Sequence, residues 1–281
     1  MACRSAEIGT DGVLDLVVLP EDAVCGGRNG TAAERSVPLH GPVLEIMGEK
    51  AREYATYLIV PLFLAEGNTY SNAAVLLDRT GGVVGTYRKV HPVAARGSKT
   101  LEGGVTPGND HPVFDCDFGK LGIQICFDMR FDDGWETLAQ KGAELVAWPT
   151  QSPQTVLPAA RAQKHAYYLV SSTWRNNTTL FEPTGMVAAQ TEDDPILVHQ
   201  IDLSYAILHW QSELRHGDLV SETFGPRAGY HYSEREDTGL FWSNDPDTSI
   251  GKMIRDLNLE TEADLLARNT ALQKMKNAAR C

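Results

Sequence analysis

The sequence predicts a mixed α/β fold, organised as a single domain over residues 1–281. Three observations carry this. Short apolar runs rich in Val, Leu and Ile recur along the chain, as buried strands do. Helically spaced stretches and Gly-bearing turns alternate with them. No shift in composition marks a linker, and no fixed-period repeat divides the chain.

The first run, residues 13–20 (VLDLVVLP), reads as a buried strand. Residues 42–57 read as a helix, with Pro42 in the first turn and Leu44, Met47, Ala51 and Tyr54 at helical spacing. Residues 57–65 (YLIVPLFLA) read as a second buried strand, in which Pro61 is awkward because it cannot donate to a ladder. Residues 71–78 and 83–89 form a hairpin pattern around Arg79-Thr80-Gly81-Gly82. Residues 89–119, rich in Gly, Pro, Ser and Asn, are expected to be an extended functional loop.

Residues 120–126 (KLGIQIC) read as a strand ending at a cysteine, followed by a short helix at 134–142 and a strand at 143–148. A helix is expected at 159–168, a strand at 168–173, and a hairpin of 177–181 with 186–190 turned at Glu182-Pro183-Thr184-Gly185. Residues 195–203 read as a further strand, and 210–246 as loose and polar-aromatic. Thr261, with Asp264 three residues on, opens a last helix to residue 279; Leu265, Leu266, Leu272 and Met275 line one face.

Composition narrows the function. The 281 residues are 42% hydrophobic and 22% charged, ordinary for a globular protein. With 25 Lys+Arg against 37 Asp+Glu the net charge is −12, which repels phosphate backbones and argues against nucleic acid. No apolar run is long enough to span a bilayer, and the start lacks a signal core, so no membrane role is expected. Cys3, Cys25, Cys116, Cys126 and Cys281 are scattered, with no metal-ligand spacing. They read as free thiols in a reducing, cytoplasmic setting.

Three segments end predicted strands and carry reactive side chains. Glu21 follows LeuPro directly after the first strand, where desolvation can turn a carboxylate into a base. Lys89 lies in YRKVHP, where a cation can hold an oxyanion or lower a thiol pKa. Cys126 lies in GIQICFDMRF on a strand-to-turn junction, the placement that exposes a nucleophile beside free backbone N–H groups. Singly, each has a bland reading: a loop carboxylate, a surface cation, a core cysteine. His91, beside Pro92, reads as structural.

Together and in this order, VVLPE, YRKVHP and GIQICFDMRF resemble the three motifs of the nitrilase superfamily of carbon–nitrogen hydrolases. The resemblance covers roughly residues 14–203. It implies a four-layer αββα sandwich with Glu21, Lys89 and Cys126 as base, cation and nucleophile. Glu102, shortly before Pro107-Gly108, resembles the family's second glutamate, which orients the lysine and substrate. Phe127, Arg130 and Trp148 are candidate substrate-binding or oxyanion residues. Arg130 either meets a substrate carboxylate or pairs with Asp128 or Asp132.

Members usually carry a strand and helix before the first motif; here residues 1–12 read only as a weak strand, so the twenty residues ahead of Glu21 imply a shortened start. Lys164 and His165 fall where many members have Glu-Asn. The segment 204–281 resembles the family only loosely and is expected to be an extension used in assembly, with helix 261–279 packing on a second copy. The implied reaction is hydrolysis of a linear amide or N-carbamoyl compound through a thioester, without metal or organic cofactor, in a homodimer or larger homo-oligomer. A silent binding or assembly protein and a thioester-dependent acyltransferase are the alternatives.

Overall fold

The computed structural model describes residues 14–192 and 194–278. The weak strand expected within residues 1–12 lies outside them, as do Cys3 and Cys281. The described chain separates into two compact units. The first runs to Phe181 and includes Val187–Leu197; the second comprises Glu182–Met186 and the described residues from Val198 onward.

The first unit holds two sheets. One contains β1 (Leu16–Val18), β2 (Val37–Pro38), β3 (Tyr57–Glu66), β4 (Thr69–Leu77) and β5 (Val83–Arg88), in the order β1-β3-β4-β5 with β2 also on β3. Strand β3 is buried on both faces over eight residues, as its unbroken apolar run requires. Pro61 fits because of where β1 stops. Tyr57 N donates to Asp15 O, so odd-numbered amides of β3 face β1, and β1 pairs only as far as Ile59. On that edge β2 pairs only with Leu64 and Ala65, so no ladder bond is lost at residue 61.

Helix α1 (Ala32–Arg35) is a single turn and α2 (Pro42–Glu53) is the long one. Leu44 and Ala51 of α2 bury against Leu58, Val60, Leu62 and Leu64 of β3 and against β4. Gly81, in the β4–β5 turn, comes so close to α2 that a Cβ there would lie 2.3 Å from Gly48 O. Its φ of +81° also favours glycine.

The second sheet runs β11-β10-β9-β8-β7-β6. Its strands are β6 (Val113–Cys116), β7 (Gly119–Ile123), β8 (Leu145–Thr150), β9 (Tyr168–Thr173), β10 (Thr179–Phe181) and β11 (Val187–Gln190). The β7-β8-β9 core is parallel, so all three strands deliver their C-terminal ends to one edge. Helices α3 (Asp133–Gln140) and α4 (Val156–His165) cover one face. There Trp135, Leu138, Ala162, Val146, Trp148, Leu169 and Phe181 form a closed core. Burying each large aromatic side chain contributes about 2–3 kcal/mol. The other face meets the first sheet: Phe114 touches Gly85, and Ser172 Oγ donates to Val18 O at 2.8 Å. The unit is therefore the four-layer αββα sandwich implied by the motifs.

The second unit has a three-stranded antiparallel sheet, β12-β14-β13. It comprises β12 (Tyr205–His209), β13 (Ala228–Ser233) and β14 (Thr238–Ser243), with α5 (Asp218–Phe224), α6 (Ile250–Asp256) and α7 (Glu262–Ala278). Leu208, Val220, Phe241, Met253 and Ile254 make its core. In α7 no residue is buried, and Leu266, Leu272 and Met275 are exposed. Among the described residues no helix is long and apolar enough to cross a membrane.

Three sequence expectations need correction. The loop from residue 89 ends sooner, because residues 113–116 form β6 against β7. The expected strand at 195–203 does not form; the strand lies at Tyr205–His209. Ile196 and Val198, two of its apolar residues, are 50% and 40% exposed, and the segment has no ladder to join. The stretch 210–246 is not loose: it contains α5 and the β13–β14 hairpin.

Candidate active site

Two strand ends and the loop after β5 bring Glu21, Lys89 and Glu102 into one buried cluster. Glu21 follows β1 and is 5% exposed; Lys89 follows β5 and is 1% exposed. Lys89 Nζ donates to Glu21 Oε1 at 2.9 Å and to Glu102 Oε1 at 2.6 Å. Burial pulls the Lys89 pKa down, but the charges of Glu21 and Glu102, with Cys126, outweigh it and hold the ammonium above its ordinary range. A buried lysine with two carboxylates remains a cation at any physiological pH.

The backbone around the cluster is tightly specified. Lys89 N donates to Asn72 O at 2.8 Å, and Lys89 O accepts from Gly108 N at 2.9 Å. A Cβ on Gly108 would lie 2.2 Å from Arg88 O, so only glycine lets the loop come this close to the lysine. Glu102 N donates to Val93 O, and Val93 N returns a bond to Glu102 Oε1, each at 2.9 Å. Trp174 Nε1 and Gln151 Nε2 donate to Glu21 O at 2.8 and 3.1 Å. These two side chains come from the ends of β9 and β8 in the opposite sheet.

Cys126 opens a 3-10 turn (Cys126–Arg130) just beyond β7. Its φ is +42°, a left-handed conformation rare for a residue with a Cβ. Asp22, beside Glu21, and Glu102 are left-handed as well, with φ of +60° and +42°. Such backbone costs about 1–3 kcal/mol per residue and clusters at functional sites. Burial pushes the Cys126 thiol above its ordinary pKa, and Glu21 adds to this. Lys89, the Gln151 backbone N–H and the Thr150 hydroxyl oppose the rise.

The turn is held through its backbone. Asp128, 1% exposed, accepts from Ile125 N at 2.9 Å and Tyr87 Oη at 2.8 Å on Oδ2, and from His91 N at 2.9 Å on Oδ1. Trp135 Nε1 donates to Asp128 O at 3.1 Å, and Trp148 Nε1 to Cys126 O at 3.0 Å. Arg161 donates to Met129 O and Phe131 O at 3.4 and 3.3 Å and pairs with Asp132.

Of the other sequence candidates, Phe127 is 37% exposed and meets Phe131 edge-on. Arg130 is exposed; among the described residues it has no ion pair, since Asp128 and Asp132 are engaged elsewhere. Trp148 is fully buried in the helix-side core and touches the site through its indole N–H. Lys164 and His165 lie at the end of α4. Among the described residues no cluster of His, Cys, Asp or Glu could hold a metal ion.

Sequence reasoning missed Asn72, Asp128 and Arg161. Asn72 donates from Nδ2 to Glu21 Oε1 at 3.0 Å and to Glu102 Oε2 at 2.8 Å. Its one local signal is an amide at the head of the apolar run Ala73–Leu77.

The family model for carbon–nitrogen hydrolases matches residues 5–208. The chain belongs to the carbon–nitrogen hydrolase family. Relatives within it include the human deaminated glutathione amidase, 30% identical over 200 residues, covering 60% of this chain. The match spans 61% of the length of that human protein. The omega-amidase NIT2-A of Xenopus laevis is 27% identical over 235 residues, covering 73% of this chain and 82% of its own. Nit3 of Saccharomyces cerevisiae, a member of branch 10 of the nitrilase superfamily, shares the fold. Its TM-score is 0.53 at 20% identity, over 63% of this chain and 72% of Nit3.

Proposed function

We propose that this protein hydrolyses the carbon–nitrogen bond of a small linear amide or N-carbamoyl compound through a thioester on Cys126. The observation that carries the reading is the buried Glu21–Lys89–Glu102 cluster electrostatically coupled to a strained cysteine turn. The amidase names of the relatives support the substrate class.

Because burial raises its pKa, Cys126 rests as a thiol at neutral pH and needs a base at the moment of attack. Glu21 takes the thiol proton as sulfur bonds to the carbonyl carbon. Lys89 and the backbone N–H of Phe127 receive the oxyanion; the first N–H groups of a helical turn have no partner within it. One such donor is worth about 3–4 kcal/mol. Glu21 then gives the proton to the nitrogen, the C–N bond breaks, and ammonia or amine leaves a thioester. Water, deprotonated by Glu21, attacks the thioester; sulfur departs and regains a proton from Glu21. Glu102 keeps Lys89 in place.

In the same reading the whole chain acts as one hydrolase domain, with residues 204–281 as an assembly segment in a homo-oligomer. The exposed Leu266, Leu272 and Met275 on α7 support it. A cytoplasmic setting is supported by the free thiols of Cys25, Cys116 and Cys126.

The test is ammonia release from aliphatic amides, ω-amides, N-carbamoyl amino acids and nitriles, with Cys126→Ala as the blank. We expect release from an amide or carbamoyl compound that vanishes in the blank. Folded protein that releases nothing from any compound overturns the reading.

A further inference from the structure

Asn72 is 3% exposed in the middle of the first sheet and touches three members of the cluster at once. Its carbonyl O accepts from Lys89 N, and its side-chain Nδ2 bridges Glu21 and Glu102. The orientation of the amide is forced. Flipped, Oδ1 would face two carboxylate oxygens that cannot donate when ionised. The amide has two hydrogens and spends them on two different acids.

The consequence for Glu21 is positional. Asn72 and Lys89 both bond to Oε1 of Glu21. Among the described residues no hydrogen bond is made by Oε2, which is therefore the oxygen available to a thiol, a leaving nitrogen or a water. A second consequence is electrostatic. Two carboxylates share one lysine in a buried site. A neutral donor between them adds a hydrogen bond to each without adding a charge. An aspartate would fit the same volume and do the reverse.

We propose that Asn72 is a positioning residue of the reaction, fixing Glu21 through Oε1 so that Oε2 is presented to the reacting atoms. The inference rests on the hydrolase reading above but can be tested apart from it. The charged groups around the amide are Glu21 and Glu102, which it bonds, and Lys89, which both acids hold; Asp22, paired with Arg35, feels the charge of both acids, and Cys126 is coupled to Lys89.

The test compares the full-length protein with Asn72→Ala and Asn72→Asp, both checked for native folding by near-ultraviolet circular dichroism. Two pH profiles are read. One is kcat/KM for the substrate found by ammonia release. The other is the alkylation rate of Cys126 by iodoacetamide, which also requires the thiol to lose its proton but needs no turnover. In Asn72→Ala we expect kcat to fall about tenfold with KM within about threefold, because the contact is to the base and not to substrate, and the acid limb of both profiles to move up, because a hydrogen bond that favours the charged carboxylates is lost. In Asn72→Asp the acid limb of both profiles moves up by about one pH unit or more, since three carboxylates beside one lysine cannot all ionise.

Alkylation with a shifted limb but no turnover in any variant sustains Asn72 and removes the hydrolase. Acid limbs that coincide with the parent in either folded variant overturn the inference, as does a fall confined to KM. If Asn72→Asp fails to fold, Asn72→Ala decides alone. An unchanged kcat and alkylation profile there sinks the inference, and a slowed kcat with a moved limb sustains it.

Discussion

The two halves of the site are held in different ways. On the first sheet, Glu21, Lys89 and Glu102 are fixed to one another through charged side chains. On the second, the Cys126 turn is fixed through its backbone, by Asp128, Trp135, Trp148 and Arg161. The difference follows from what each half would do in the proposed reaction. A proton acceptor and an oxyanion donor act through side-chain charge, so their electrostatics must be set by neighbours. A nucleophile acts through one atom whose direction is set by backbone dihedrals, so the peptide groups must be immobilised.

The comparison breaks most sharply at Lys89. Lys89→Met leaves two buried carboxylates without their cation. We expect a loss of about 3–5 kcal/mol in urea unfolding, together with loss of activity. A variant as stable as the parent would mean the charged half is not held by its ion pairs. Asp128→Ala tests the other half. It strands the Ile125 and His91 amides and the Tyr87 hydroxyl; each lost partner costs about 1–3 kcal/mol before relaxation or water. We expect about 3 kcal/mol overall and a fall in kcat with KM little changed, read by unfolding and steady-state kinetics. A pure KM effect would assign Asp128 to substrate and not to the turn.

The smallest effect belongs to His91, which joins the halves. Its Nδ1 lies 3.1 Å from Asp128 Oδ1, its Nε2 lies 3.5 Å from Asp133 Oδ2, and its ring stacks on Phe131 at 3.8 Å. The hydrogen bond to Asp128 raises its pKa above the ordinary histidine value. A raised folded pKa means that the charged form stabilises. The contribution is complete below the unfolded value of about 6.5 and is lost as pH rises through the folded value. The Tm gap between the parent and His91→Gln should therefore be widest in mild acid and narrow toward alkaline pH. A gap that widens with pH would reverse the sign.

Much of this architecture was readable because it is periodic or local. The unbroken run at β3, the Gly-Gly hairpin of β4 and β5, and the Thr261/Asp264 cap declare themselves within a few residues. The β13–β14 hairpin was not read, although Tyr230 and Tyr232 alternate with polar residues. Strand β13 is half exposed, and its mixed polar-aromatic alternation looks like loop. At the site, the motifs singled out Glu21, Lys89 and Cys126, and the fold joins the first two in one ion pair. Asn72 and Asp128 were not singled out, because the two acids that Asn72 bridges lie 51 and 30 residues away in sequence, and Tyr87 and His91 lie 41 and 37 residues from Asp128, and only the fold brings them together.

The left-handed residues Asp22, Glu102 and Cys126 also set a limit on engineering. Glycine at any of them would relax the main chain, and heat-resistance screens favour such replacements. At Glu102 and Cys126, however, glycine deletes a side chain that the proposed reaction uses, and at Asp22 it removes the partner of Arg35. Selection for thermal endurance in this protein should therefore accumulate changes on helices and outer turns and leave these three positions alone.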